Sequence, residues 1–148
     1  MTSKNKTKGD SFTYAFTRMS ESYKKEFYLE SVTLAESIIS DRLLSFVKSR
    51  HVKVNDRTAL KQLIDKAKKL NTSPAITRAG QELFDALDEW RVTRNKCVHA
   101  VAKSEPGEPT VTVGEFIGMA KRSAKDGKEL ARLVCNWHRD SKNSNKNC

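Results

Sequence analysis

The chain has 148 residues, of which 37% are hydrophobic and 31% charged. That is enough for one domain around one core, and it excludes a disordered chain. No apolar run reaches the ~18 residues of a membrane helix, which excludes a spanning segment of that kind. A net charge of +10, from 28 basic and 18 acidic residues, suits a polyanionic partner such as nucleic acid. It equally suits a solvated surface that serves solubility.

Residues 1–18 are rich in Lys, Ser and Thr, and are expected to form a disordered basic arm. The stretch Met1-Thr2-Ser3-Lys4-Asn5-Lys6 lacks the apolar core of a signal peptide, so a cytoplasmic location is expected. The helical domain should cover 19–138. Its first helix is expected over about Ser20 to Ser49, with Phe27/Tyr28, Val32, Ala35, Ile39, Leu43, and Phe46 with Val47 recurring at spacings of three and four. A second, about Asp56 to Leu70, turns Leu60, Leu63, Ile64 and Ala67 inward, with Asn55 as its cap. A third should open at Ser73-Pro74, a cap followed by a first-turn proline, and run to about Ala102. Pro106, Gly107 and Pro109 then break the pattern. The fourth opens at Thr112-x-x-Glu115, a capping box, and reaches about Trp137 with Gly127 as its weak point. Residues 139–148 read as a polar, disordered tail. The expected architecture is all-α: an antiparallel up-and-down bundle of about four helices.

Charge is uneven along this frame. Eight Lys and Arg lie between Lys48 and Lys69, and eight more between Lys121 and Cys148, whereas Glu82, Asp85, Asp88 and Glu89 form an acidic cluster. The cysteines, Cys97, Cys135 and Cys148, are odd in number and have no framework spacing, which points to free thiols in a reducing compartment. Cys97-x-His99 and Cys135-x-x-His138 could be assembled into a zinc set, but the first spacing is tight for two ligands on a helix. No metal or cofactor is expected.

The segment Arg94-Asn95-Lys96-Cys97-Val98-His99 stands out. At 100° per residue, Leu83, Leu87, Trp90, Val98 and Val101 fall within about 40° of Arg94, so a charge sits in the middle of an apolar stripe. Asn95 and His99 are four apart and lie one above the other on the neighbouring flank. A charge in that stripe requires a partner or an outlet. It can snorkel to the bundle end, pair with an acid such as Glu36 on the apolar side of the first helix, or face a polar cleft at a subunit interface. The spacing alone carries little, since Arg132 and His138 repeat it by chance.

The arrangement of Arg94, Asn95 and His99 near the end of a helix, in a small all-α domain, resembles the HEPN family (higher eukaryotes and prokaryotes nucleotide-binding). Its ribonuclease motif is Arg, four to six residues, then His, commonly with a polar residue after the Arg. The segment around Glu36 resembles the Glu-containing first helix of many members, and the likeness covers about Glu21 to Trp137. The resemblance implies a metal-independent endoribonuclease that cleaves single-stranded RNA as a homodimer, with two motifs meeting in a composite cleft. It further implies a toxin or phage-defence effector, held in check by a cognate antitoxin or regulatory protein.

The residue types suit that chemistry. Histidine transfers protons near neutrality, and arginine offers fixed donors to a phosphate. Arg91, Lys96 and Lys103 are candidates for contacting the RNA backbone, or are simply a solvated face. Trp90 and Trp137 are expected in the core rather than as base-stacking platforms. Two alternatives stay open: a non-catalytic module of the same type that binds RNA, a nucleotide or a protein, and a structural or DNA-binding bundle in which Arg94 pairs with Glu36.

Overall fold

The computed structural model describes residues 3–77, 79–102 and 112–146. Every regular element among them is a helix: α1 (Ser3–Lys24), α2 (Tyr28–Ser49), α3 (Leu60–Leu70), α4 (Leu83–Ala102) and α5 (Val113–Lys146). The longest interface joins α2 to α5; α1 and α3 pack on α2, and α4 packs on α5 and α3. The core between them is apolar, built from Ile39, Leu43, Val47, Ile64, Phe84, Leu87 and Val134. No described helix is long and apolar enough to cross a membrane.

The helix expected over Ser20 to Ser49 is two helices. The chain turns at Lys25–Phe27, where Glu26 takes a left-handed conformation (φ 65°), and Phe27 N–H closes onto Ser22 O at 2.8 Å. No glycine or proline marks the break. A non-glycine residue in that region costs on the order of 1 kcal/mol. Folding α1 back along α2 offsets it: Met19 becomes fully buried, Ser31 Oγ donates to Met19 O, and Arg18 pairs with Glu30 at 2.7 Å. The stretch expected to be a loose arm is therefore helical from Ser3. Residues 7–11 stay exposed, and Phe12, Ala15 and Phe16 pack on the core. At the other end α5 continues through the expected tail to Lys146, because Ser141 still faces inward and is buried.

Two helix starts also differ. α3 begins at Leu60, not near Asp56; Asn55 Oδ1 accepts the Arg57 N–H and Asn55 N–H donates to Thr58 Oγ1, which makes a local turn. α4 begins at Leu83, not at Ser73-Pro74. Residues 75–77 and 81–83 run back along each other: Leu83 N–H donates to Ala75 O, Thr77 N–H donates to Gln81 O, and Gly80 supplies the positive φ of 80° that glycine adopts without strain. The Glu82 carboxylate then accepts the Phe84 and Asp85 N–H groups, capping α4. α5 starts as its sequence suggests, with Glu115 N–H donating to Thr112 Oγ1 at 3.2 Å.

Both tryptophans belong to the core. Trp90 Nε1 donates to Ser123 O at 2.8 Å. Trp137 packs edge-on against Phe46 and Phe84, and its Nε1 donates to Asn71 Oδ1. These contacts clamp α4 and the loop before it onto α5, and so set the height of the Arg94 turn above the core.

Candidate functional site

Through its first two turns α4 is held by Leu83, Phe84, Leu87 and Trp90, all buried. In the last turns the stripe parts. Cys97 stays buried, but Val98 is 43% exposed. Arg94 sits where the stripe divides. Its side chain is 18% exposed, and its Nη1 donates to Glu36 Oε2 on α2 at 2.7 Å. Arg94 Nε is buried and bonds no described group. The guanidinium is thus held from one side, with a donor left over. A buried donor without a partner is costly.

His99 lies five residues beyond Arg94 and is exposed, and Asn95 between them is half-buried. Together with Val98 they form a seam along the outer flank of α4, with the Glu36–Arg94 pair as its inner edge. Within one protomer no described contact ties His99 to Arg94. Arg94 and His99 are five residues apart, about 140° round one helix, so within one subunit they do not share a face.

The remaining candidates are less free. Arg91 is committed to its own helix: Nε and Nη2 both donate to Asp88 Oδ1, at 3.1 and 3.0 Å, and little of its side chain is exposed. Lys96 is exposed on the same helix. Lys103 lies outside the described residues. Burial pushes the Cys97 thiol up, so it stays protonated as a packing residue and not as a nucleophile. Among the described residues no three His, Cys, Asp or Glu side chains gather as metal ligands.

The acidic cluster before the motif disperses. Glu82 caps α4, Asp85 pairs with Lys68 at 2.8 Å, Asp88 holds Arg91, and Glu89 turns to a separate cavity on α5. Reading the sequence alone missed the exposure of Val98, because the helix wheel put it in the stripe. Its signal was indirect: an arginine and an exposed valine on one face require that face to leave the core.

No family model matches the chain, no curated protein matches it, and no solved structure matches it.

Proposed function

We propose that the protein is a metal-independent endoribonuclease of the HEPN type. It acts on single-stranded RNA as a homodimer, with an up-and-down bundle in each subunit. The observation that carries this reading is the half-satisfied Arg94. Glu36 fixes the guanidinium, Nε remains without a partner, and the exposed Val98 and His99 extend the same seam. A second copy packed on that seam would cover Val98 and bring two Arg94–His99 sets to one cleft. The net charge of +10 supports RNA as the ligand.

In the proposed reaction one His99 takes the proton of the 2′-OH. The freed O2′ attacks the adjacent phosphorus and the P–O5′ bond breaks. His99 of the partner subunit gives a proton to the departing O5′. Arg94 stabilises the charge that gathers on the phosphoryl oxygens, and Asn95 orients His99 or bonds a phosphoryl oxygen. The products are a 2′,3′-cyclic phosphate and a 5′-hydroxyl. Lys96 and Lys103 guide the backbone. A cytoplasmic toxin or phage-defence effector, restrained by an antitoxin or regulator, is the biological setting we infer.

The test is cleavage of an unstructured RNA by purified protein in EDTA, with analysis of the product ends. His99→Ala should lower the rate at least ~100-fold while leaving helicity and dimerisation intact. An undiminished rate in the variant, or an activity that EDTA abolishes and a divalent ion restores, would sink the assignment.

A second reading draws on the same ion pair. Glu36 already balances the Arg94 charge within one subunit, the pairing expected of a structural or DNA-binding bundle, and it also suits a non-catalytic module that binds RNA, a nucleotide or a protein. RNA retention without any cleavage would select it.

A further inference from the structure

The outward face of α5 carries a row of cations on a different helix from Arg94 and His99. At 100° per residue, Lys121, Lys125, Lys128 and Arg132 fall within an arc of about 60°. Their rise along the axis makes a row roughly 17 Å long, with rungs ~4.5–6 Å apart. Lys121, Lys125 and Arg132 are exposed, and Lys128 is half-buried. No acid of α5 falls inside the arc: Glu115, Asp126, Glu129 and Asp140 all lie outside it.

Three observations set this row apart from an ordinary solvated face. The other basic stretch, from Lys48 to Lys69, is partly neutralised: Lys48 pairs with Asp56, Lys61 with Asp65, and Lys68 with Glu82 and Asp85. None of the four α5 cations pairs with a described carboxylate. Lys125 acts on the Asp126 carboxyl from outside without closing to an ion pair. Second, rings of α1 hold two of the heads in place. Lys128 Nζ stands 5.4 Å from the centre of the Tyr23 ring, and the Arg132 guanidinium 5.9 Å from that of Phe16. A cation positioned in this way loses less freedom on binding than a loose one. Third, Tyr23, Gly118, Lys121, Arg122, Lys125 and Asp126 line an open cleft of about 620 Å³ at the head of the row. A Cβ on Gly118 would meet nothing within 4 Å, so that side of the cleft is clear. The Tyr23 ring is engaged by Tyr28 and Lys128, which leaves its hydroxyl as the group it offers to the cleft.

We propose that this row binds single-stranded nucleic acid by its phosphodiester backbone, with one strand running along α5 from the Tyr23 cleft to Arg132. Lys121, Lys125, Lys128 and Arg132 each neutralise a phosphate, and the Tyr23 hydroxyl donates to a phosphoryl oxygen in the cleft. A single strand fits better than a duplex. The row is one cation wide, and α5 packs on α1, α2 and α4, so it cannot enter a major groove as a free recognition helix does. A lipid surface fits less well, because Ala120, Ala124, Ala131 and Val134 on the apolar face of α5 are buried in the core and no apolar side is left to enter lipid. Contacts of this kind hold a strand without reading its sequence. In taking RNA as the natural strand the inference rests on the ribonuclease reading; the binding itself does not require cleavage.

The test is fluorescence anisotropy of a labelled single-stranded deoxythymidine oligonucleotide, titrated with the full chain over a range of salt. The probe has no 2′-OH, so binding is read apart from the proposed cleavage. The variant Lys121→Gln, Lys125→Gln, Lys128→Gln, Arg132→Gln should bind at least about tenfold more weakly, and the slope of log K against log salt should fall by ~3. The same charge removed from the other basic stretch, by Lys53→Gln, Arg57→Gln, Lys66→Gln and Lys69→Gln, should weaken binding less than about threefold. Circular dichroism checks that the variants fold. The double variant Lys121→Gln, Lys125→Gln disturbs neither ring contact and should lower the slope by ~1.4, which keeps the test open if the fourfold variant does not fold. Failure of the parent to bind, equal weakening by the two fourfold variants, or tighter binding of a duplex of the same length overturns the proposal. Binding of the probe without RNA cleavage supports the row and counts against the nuclease alone. RNA cleavage without binding of the probe overturns the row and leaves the nuclease standing.

Discussion

Replacing Gly127 with alanine is expected to destabilise the protein, although in an exposed helix the same change stabilises by about 1 kcal/mol. A Cβ built on Gly127 meets Trp90 Cζ2 at 2.7 Å, Cε2 at 3.0 Å and Nε1 at 3.1 Å. Ordinary carbon contacts lie near ~3.5–4.0 Å, so the indole would have to retreat by roughly 1 Å. It has little room. Trp90 is 4% exposed, and its Nε1 is bonded to Ser123 O at 2.8 Å. Overpacking of this kind costs ~1–3 kcal/mol, and straining the indole hydrogen bond adds about 1 kcal/mol. The helix-propensity gain returns about 1 kcal/mol. The net is a loss of ~1–3 kcal/mol, or roughly 3–10 °C in Tm for a domain of this size. Urea unfolding followed by circular dichroism measures it. Trp90→Leu removes the obstacle, so in that background Gly127→Ala should be neutral or stabilising. A midpoint equal to or above the parent's in the Trp90 background would refute the close approach. The result also bears on the candidate site, since Trp90 stands one turn before Arg94 and sets its position.

The Glu36–Arg94 pair and the acid end of the pH range give two more predictions. Glu36→Ala leaves a guanidinium that is mostly covered and has no acceptor, and should cost ~1–3 kcal/mol; Glu36→Ala with Arg94→Met should cost less than the sum of the single changes, and additivity within about 0.5 kcal/mol would show that the pair is not coupled. Burial, with Arg42, Lys142 and Lys8 and against Asp41, pushes the His138 imidazole down to about 4 from 6.5. Above about pH 6.5 it is neutral whether folded or not, and contributes nothing; as pH falls from 6.5 towards 4 the unfolded chain takes up a proton that the folded chain refuses, and about 1–2 kcal/mol is lost after allowance for its partial exposure. His138→Gln should flatten the stability profile over that window, and an equal acid loss in parent and variant would count against the assignment.

How far the sequence could be read varied with the physics involved. The 3.6-residue repeat of Leu60, Leu63, Ile64 and Ala67 is a property of one helix, so α3 and its buried face were legible. Thr112 and Glu115 mark the start of α5 through a hydrogen bond between near neighbours. The break at Glu26 was not legible, because a residue ordinarily at home in a helix is driven into the left-handed region by packing between α1 and α2. Ser73-Pro74 carried a valid local signal, but the turn at Gly80 and the Glu82 cap prevailed.

The candidate site divides along the same line. The sequence by itself determined an all-helical chain of high positive charge, and it placed Arg94 in an apolar stripe with Asn95 and His99 aligned beside it. It could not choose among an outlet to solvent, a partner on another helix and a subunit cleft. Only the tertiary structure decided that Glu36 meets Arg94, that Val98 leaves the core one turn later, and that Gly127 is a fitted contact for Trp90 instead of a weak point. Helical periodicity is encoded within each segment. The approach of one helix to another depends on side chains far apart in the chain, and no local pattern records it.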